Sequence, residues 1–115
     1  MARTVEAVIN GTAYHMPVSY RASKEVAEVV GDPLKFAMDA HRGQLNLTVD
    51  DVVGIISIGC KHAGCSLPIE QIGESVVEAG VIDYLQIAVQ YVIAFCSGGP
   101  SGGAPSKKSQ RKSGG

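Results

Sequence analysis

The sequence predicts a mainly helical α+β domain: an N-terminal β-hairpin packed on a small bundle of about five helices, followed by a disordered tail. Three observations carry this. Residues 4–10, TVEAVIN, alternate with the period of a half-buried strand and end on Asn10-Gly11. Between Ala22 and Cys96 apolar residues recur at three- and four-residue steps, in segments broken by Gly31, Gly64 and Gly80. After Phe95-Cys96 the composition changes to SGGPSGGAPSKKSQRKSGG, in which no position can bury apolar surface. The domain is therefore expected over residues 1–97 and the tail over 98–115.

Asn-Gly is the preferred pair for a two-residue type I′ turn. Centring the turn there sets Ala7 opposite Tyr14 and Val5 opposite Met16, with Glu6 opposite His15. Pro17 has no amide donor and belongs near a strand end or on an edge. A lone hairpin is marginal in water, so the side bearing Val5, Ala7, Ile9, Tyr14, Met16 and Val18 must lie on helices.

A short helix follows, roughly Ala22 to Val30, with Val26, Val29 and Val30 inward and Gly31 as its stop. Asp32-Pro33 supplies an N-cap and a pre-set first helical residue for a second helix through about Ala40, whose apolar surface comes from Leu34, Phe36, Ala37 and Met38. His41 to Leu47 reads as a connector. The stretch from Thr48 to Gly64 is the central core helix. Val49, Val52, Val53, Ile56, Cys60 and Ala63 line one face, Ile55 and Ile58 widen it, and Thr48 with Asp51 forms a capping-box-like start. Ser66 is a candidate N-cap for the next helix, which carries Pro68 in its first turn and Ile69, Ile72, Val76 and Val77 inward, and which ends at Gly80. The last helix, about Val81 to Cys96, is expected to pack through Ile82, Leu85, Val89, Val92 and Ile93.

At 115 residues, 45% hydrophobic and a formal charge of −1, the totals fit one globular domain that needs no metal or disulfide staple. No apolar run approaches the roughly 18 to 20 residues that span a bilayer. The polar, charged N-terminus does not read as a secretory signal, and the odd count of three cysteines suits free thiols in a reducing compartment, so a cytoplasmic location is expected. Residues 1–96 hold all eleven acids against six Lys and Arg, while the tail holds Lys107, Lys108, Arg111 and Lys112 and no acid.

Cys60, His62 and Cys65 form the only cluster of soft ligands. Zinc needs four ligands, commonly with a C-x2-4-C pair, and the remaining candidates His15, His41 and Cys96 supply no second pair. On a helix, residues 60 and 62 also point roughly 200° apart. Cys60 reads as a small buried hydrophobe and Cys65 as a turn residue. A Cys65 nucleophile with His62 as base lacks a recognisable oxyanion loop or orienting carboxylate, so His62 reads as a solvated histidine suited to a helix C-terminus. Asp50 and Asp51 complement the dipole in a first turn. No metal, cofactor or catalytic residue is expected. The tail bases Lys107, Lys108, Arg111 and Lys112 have two readings: a solvated linker, or a tether for an acidic protein or nucleic acid. Without aromatic interleaving or a groove-reading helix, nucleic acid is not the expected partner.

The order of features is more specific than any one of them. A hairpin leads into a small helix ending in Gly31, then a second short helix, a polar connector, a helix opened by Thr-x-x-Asp and closing near Ala63-Gly64, then SLPIEQI, Gly80 and a final apolar helix. This resembles the tail assembly chaperones of long-tailed bacteriophages, in particular the compact form of gene transfer agents and related prophages. The resemblance covers about residues 4–97 and is strongest over TVDDVVGIISIGCKHAGCSLPIEQIGESVVEAG. The chain departs from it in carrying Val29-Val30 where that family often has a Leu-Glu pair before the glycine. The resemblance implies a non-catalytic factor that holds the long tape-measure protein soluble and recruits tail-tube subunits. A homo-oligomer is also open to the chain, since an almost all-round apolar central helix can finish its burial against a second copy. A helical domain suits that role by offering a groove to an amphipathic helix through anchors at three- and four-residue spacing. The other class consistent with the residues is a small helical adaptor or regulator whose basic tail contacts nucleic acid or an acidic protein.

Overall fold

Asn10 and Gly11 adopt φ of 52° and 80°, the left-handed pair that a type I′ turn requires, and they join β1 (Thr4–Ile9) to β2 (Thr12–Pro17). The computed structural model describes residues 3–97. Its register pairs Ala7 with Tyr14, Val5 with Met16, Glu6 with His15 and Thr4 with Pro17, as the turn chemistry predicts. Pairs alternate along such a ladder between hydrogen-bonded and outward-facing. Counting from the turn, Val8 and Pro17 fall at outward-facing positions, so Pro17 has no ladder donor to lose and both carbonyls point away from the partner strand. The Val18 amide extends the ladder by donating to the Arg3 carbonyl at 2.9 Å.

Five helices follow: α1 (Tyr20–Val30), α2 (Pro33–His41), α3 (Val49–His62), α4 (Ile69–Ala79) and α5 (Val81–Cys96). Their starts and stops are locally encoded. The Ser19 hydroxyl accepts from the Ala22 amide, Asp32 Oδ1 accepts from the Leu34 amide, and Gly31 ends α1 at φ 85°. At Thr48 the capping box is complete in both directions, each bond 3.1 Å long, so aspartate reaches the N-cap amide as the usual glutamate would. α4 and α5 are the exceptions, both without a side-chain cap: the N-cap of α5 is Gly80 and that of α4 is Pro68, and Ser66 lies outside the start of α4, which corrects the expected cap.

The core is built on α3, which packs against α1, α4, α5 and β2. Val52, Ile55, Ile56 and Cys60 are buried there, as are Gly54 and Gly59. Gly59 is where β2 lies down on the helix: a Cβ would stand 3.0 Å from Met16 Cβ and 2.9 Å from Met16 Cγ. Val53, expected inside, is half-buried, and Val49 is exposed.

α5 departs only in part from the expectation: Val92 is buried as expected and Leu85 and Val89 pack against the core, but the centre of its buried face lies elsewhere. Tyr84, Ala88, Tyr91, Val92 and Ala94 are buried, whereas Ile82 is 69% exposed. The helix is apolar over most of its surface, so periodicity does not choose a face; the hairpin's free carbonyls do. The Tyr84 hydroxyl donates to the Val8 carbonyl, and the Tyr91 hydroxyl donates to the Pro17 carbonyl at 2.6 Å. Seven residues apart, the two tyrosines share one helix face and hold the outer edges of both strands. Ser75 on α4 adds a third polar tie, donating to the Asn10 side chain at the hairpin turn.

Candidate functional site

Two features stand out on this scaffold: a thiol and imidazole cluster at the C-terminal end of α3, and an open apolar groove at its N-terminal end.

The cluster arises from the way α3 stops. Gly64 at φ 95° lets the Cys65 amide donate back to the Cys60 carbonyl at 2.9 Å and its own amide donate to the Lys61 carbonyl at 3.1 Å, the paired bonds of a Schellman motif. That motif brings the residue after the glycine against the last full turn, so Cys60 and Cys65 meet as the apolar contact of a helix cap. Burial pushes the Cys60 thiol up to about 12, helped by Cys65, which keeps it a protonated core group. Cys65 is also buried and is hydrogen-bonded with the Tyr14 hydroxyl on β2, which holds that phenol above its ordinary range.

His62 is not the solvated histidine the sequence suggests. Its side chain is 17% exposed, and its Nε2 lies 2.9 Å from Glu25 Oε2 on α1. Lys61 reaches the other oxygen of the same carboxylate at 2.7 Å. The Lys61 ammonium, then His62, holds Glu25 below the ordinary carboxylate value. The orienting carboxylate that the sequence did not reveal therefore exists, but it clamps α1 to α3: among the described residues no hydrogen bond joins His62 to Cys65. His15, His41 and Cys96 are exposed on separate elements, and no group of three or more His, Cys, Asp or Glu among the described residues is placed to hold a metal.

The groove lies between α3 and α4 and has a volume of about 560 Å³. Ile69, Gly73 and Val77 stand four residues apart on one ridge of α4, and Val49 and Val53 stand four apart on the facing ridge of α3. Gly73 makes the notch. A Cβ there would sit 3.5 Å from Val53 Cγ1, so Val53 is the floor and the glycine leaves the opening above it. Val49, Ile69 and Val77 are 48%, 48% and 59% exposed, against the inward positions expected for all three. Asp50 borders the groove on the α3 side, Glu70 and Glu74 on the α4 side. Asp51, its neighbour in sequence, is held by the Thr48 cap, so the two aspartates of this first turn have different surroundings.

A second groove, of about 480 Å³, runs past Val29, Asp32, Lys35, Phe36, Asp39 and Leu47. Its charges are largely matched within the fold, since Asp39 pairs with both Lys35 and Arg42. The tail bases Lys107, Lys108, Arg111 and Lys112 lie outside the described residues. Among the described residues no single helix is long and apolar enough to cross a membrane. Comparison of the chain with protein-family models, with curated proteins and with solved structures returns no match.

Proposed function

We propose that this chain is a non-catalytic binding protein acting as a phage-type tail assembly chaperone, which covers helical segments of a tape-measure protein and recruits tail-tube subunits until the tube assembles. The observation that carries the reading is the groove between α3 and α4. Val49, Ile69 and Val77 keep aliphatic surface in water on the facing ridges of two well-packed helices, although substitution by polar residues there would cost the fold little. Apolar surface gathered on a rigid concave site is the mark of a helix-binding groove. A long tape measure presents the complement, an apolar stripe that aggregates unless reversibly covered. The resemblance over residues 4–97 points to the same class of protein.

Co-expression with the tape-measure candidate of the same genome tests this. The expected outcome is a soluble complex that co-purifies with this chain and an insoluble tape measure without it. A tape measure that stays insoluble in both cases, with nothing co-purifying, removes the proposal.

A further inference from the structure

We infer that the groove between α3 and α4 takes an amphipathic helix whose apolar stripe is flanked by Lys or Arg, seating one large aliphatic side chain in the notch at Gly73. The inference rests on the binding role proposed above and specifies its surface and the charge of its partner.

The apolar geometry sets the shape of the occupant. From Ile69 to Val77 the ridge runs eight residues, about 12 Å along the axis, which matches two turns of a partner helix with anchors at i, i+4 and i+7. The middle anchor meets Gly73 and the Val53 floor. The outer two meet Ile69 with Val49, and Val77.

The charge of the occupant follows from what the fold leaves unmatched. Glu70, Glu74 and Glu78 stand at four-residue intervals on α4, a helix with no Lys or Arg of its own. Like charges at that spacing oppose helix formation, and Glu78 sits in a last turn whose dipole disfavours it. Between residues 43 and 96 the one Lys or Arg among six acids is Lys61, and it and the neighbouring His62 are both engaged with Glu25. None of Asp50, Glu70 and Glu74 forms an ion pair among the described residues. Both rims of an apolar groove therefore carry uncompensated negative charge, and a basic-flanked helix would relieve it.

Other occupants fit less well. A second copy docked symmetrically would set Asp50, Glu70 and Glu74 against their twins. The chain's own residues 98–115 bring four bases but no Val, Leu, Ile, Met, Phe or Tyr to fill the notch.

The test is fluorescence anisotropy of the full chain with two labelled helical peptides of about four turns, identical in their leucine stripe and flanked by Lys in one and by Glu in the other. At low salt the Lys-flanked peptide is expected to bind about tenfold tighter or more, with the preference fading as salt rises. Val77→Asp, which keeps the groove acidic, should weaken that binding about tenfold, and the Glu70→Lys/Glu74→Lys pair should invert the preference. Both variants change exposed positions, and unchanged thermal melting checks their fold. Equal binding of the two peptides, or binding indifferent to both variants, overturns the inference. So does concentration-dependent self-association abolished by Val77→Asp, which would make a second copy the occupant. Changes in the groove residues' NMR signals when the four tail bases become Gln would make the tail the occupant. If Val77→Asp chain still keeps the tape measure soluble, the groove assignment is lost and the chaperone role stands. If the charge rule holds while no tape measure co-purifies, the groove stands and the chaperone role is lost.

Discussion

The Tyr91 hydroxyl, near the end of the last helix, donates a 2.6 Å hydrogen bond to the carbonyl of Pro17 at the end of the hairpin, 74 residues earlier in the chain. The bond joins a residue with no amide to give to the ladder with a phenol that is completely buried. Burial also raises the Tyr91 pKa, which keeps the donor protonated at any physiological pH. Tyr91→Phe retains the ring and its contact with Phe95, 4.7 Å between centroids, but strands the carbonyl. Loss of a partner to a buried polar group costs about 1–3 kcal/mol. Tyr84→Phe should cost less, about 0.5–1.5 kcal/mol, because Val8 is partly exposed and water can reach its carbonyl. Urea midpoints of the two variants, at constant m, check the order.

Two glycines on packed helices should respond to alanine with opposite signs. At Gly59 the new methyl meets Met16 Cβ at 3.0 Å, an atom fixed by the strand, so overpacking of about 1–3 kcal/mol outweighs the helix propensity gained. At Gly73 the nearest atom is Val53 Cγ1 at 3.5 Å, ordinary contact, and Gly73→Ala should stabilise by up to about 1 kcal/mol. Thermal melting reads both: a lowered midpoint at 59, a raised one at 73.

Glu25 predicts a loss of stability in acid. Its folded pKa is depressed below the ordinary 4.5, first by Lys61 and then by His62, so its contribution is fully present above the unfolded value. That contribution is lost as pH falls through the lower folded value. The stability difference between wild type and Glu25→Gln should therefore shrink as pH falls below 4.5. Denaturant midpoints across that range measure it, and a difference that persists undiminished at the acid end would show that the clamp is not titrating.

The three cysteines should alkylate in a fixed order. Cys96 is exposed, whereas Cys60 and Cys65 are buried. With its pKa near 12, Cys60 has about one part in ten thousand as thiolate at pH 8. Iodoacetamide on the native protein is expected to label Cys96 first and to reach Cys60 only on unfolding. Peptide mass mapping over time follows this, and rapid native labelling of Cys60 would contradict the buried cap.

Local chemistry was readable in the chain alone. Asn10-Gly11 set the register of the hairpin, Thr48 with Asp51 set the start of α3, and Gly31, Gly64 and Gly80 marked the ends of three helices. Each of these depends on backbone conformations or bonds that span only a few residues, so the neighbours in sequence contain the whole cause. The Schellman contact between Cys60 and Cys65 belongs to the same class, although in the sequence the glycine that signals it marks only a stop.

What the chain alone did not settle is which way nearly all-apolar helices face. On α5, Ile82 reads as core by periodicity and stands in solvent, while Tyr84 and Tyr91, more polar, are buried; on α4, which carries Glu70, Glu74 and Glu78, Ile72 and Val76 are buried as read and Ile69 and Val77 are exposed. A helix apolar around most of its surface has no unique inward face, and the choice falls to distant groups: the free carbonyls of Val8 and Pro17 draw the tyrosines of α5 inward. Likewise, Glu25 meets His62 only once α1 packs on α3, and the groove at Gly73 exists only between two packed helices. Short-range hydrogen bonding and steric constraint determined the elements and their ends. Long-range packing, acting on hydroxyls, carboxylates and the absence of a single methyl, decided the faces and the candidate site.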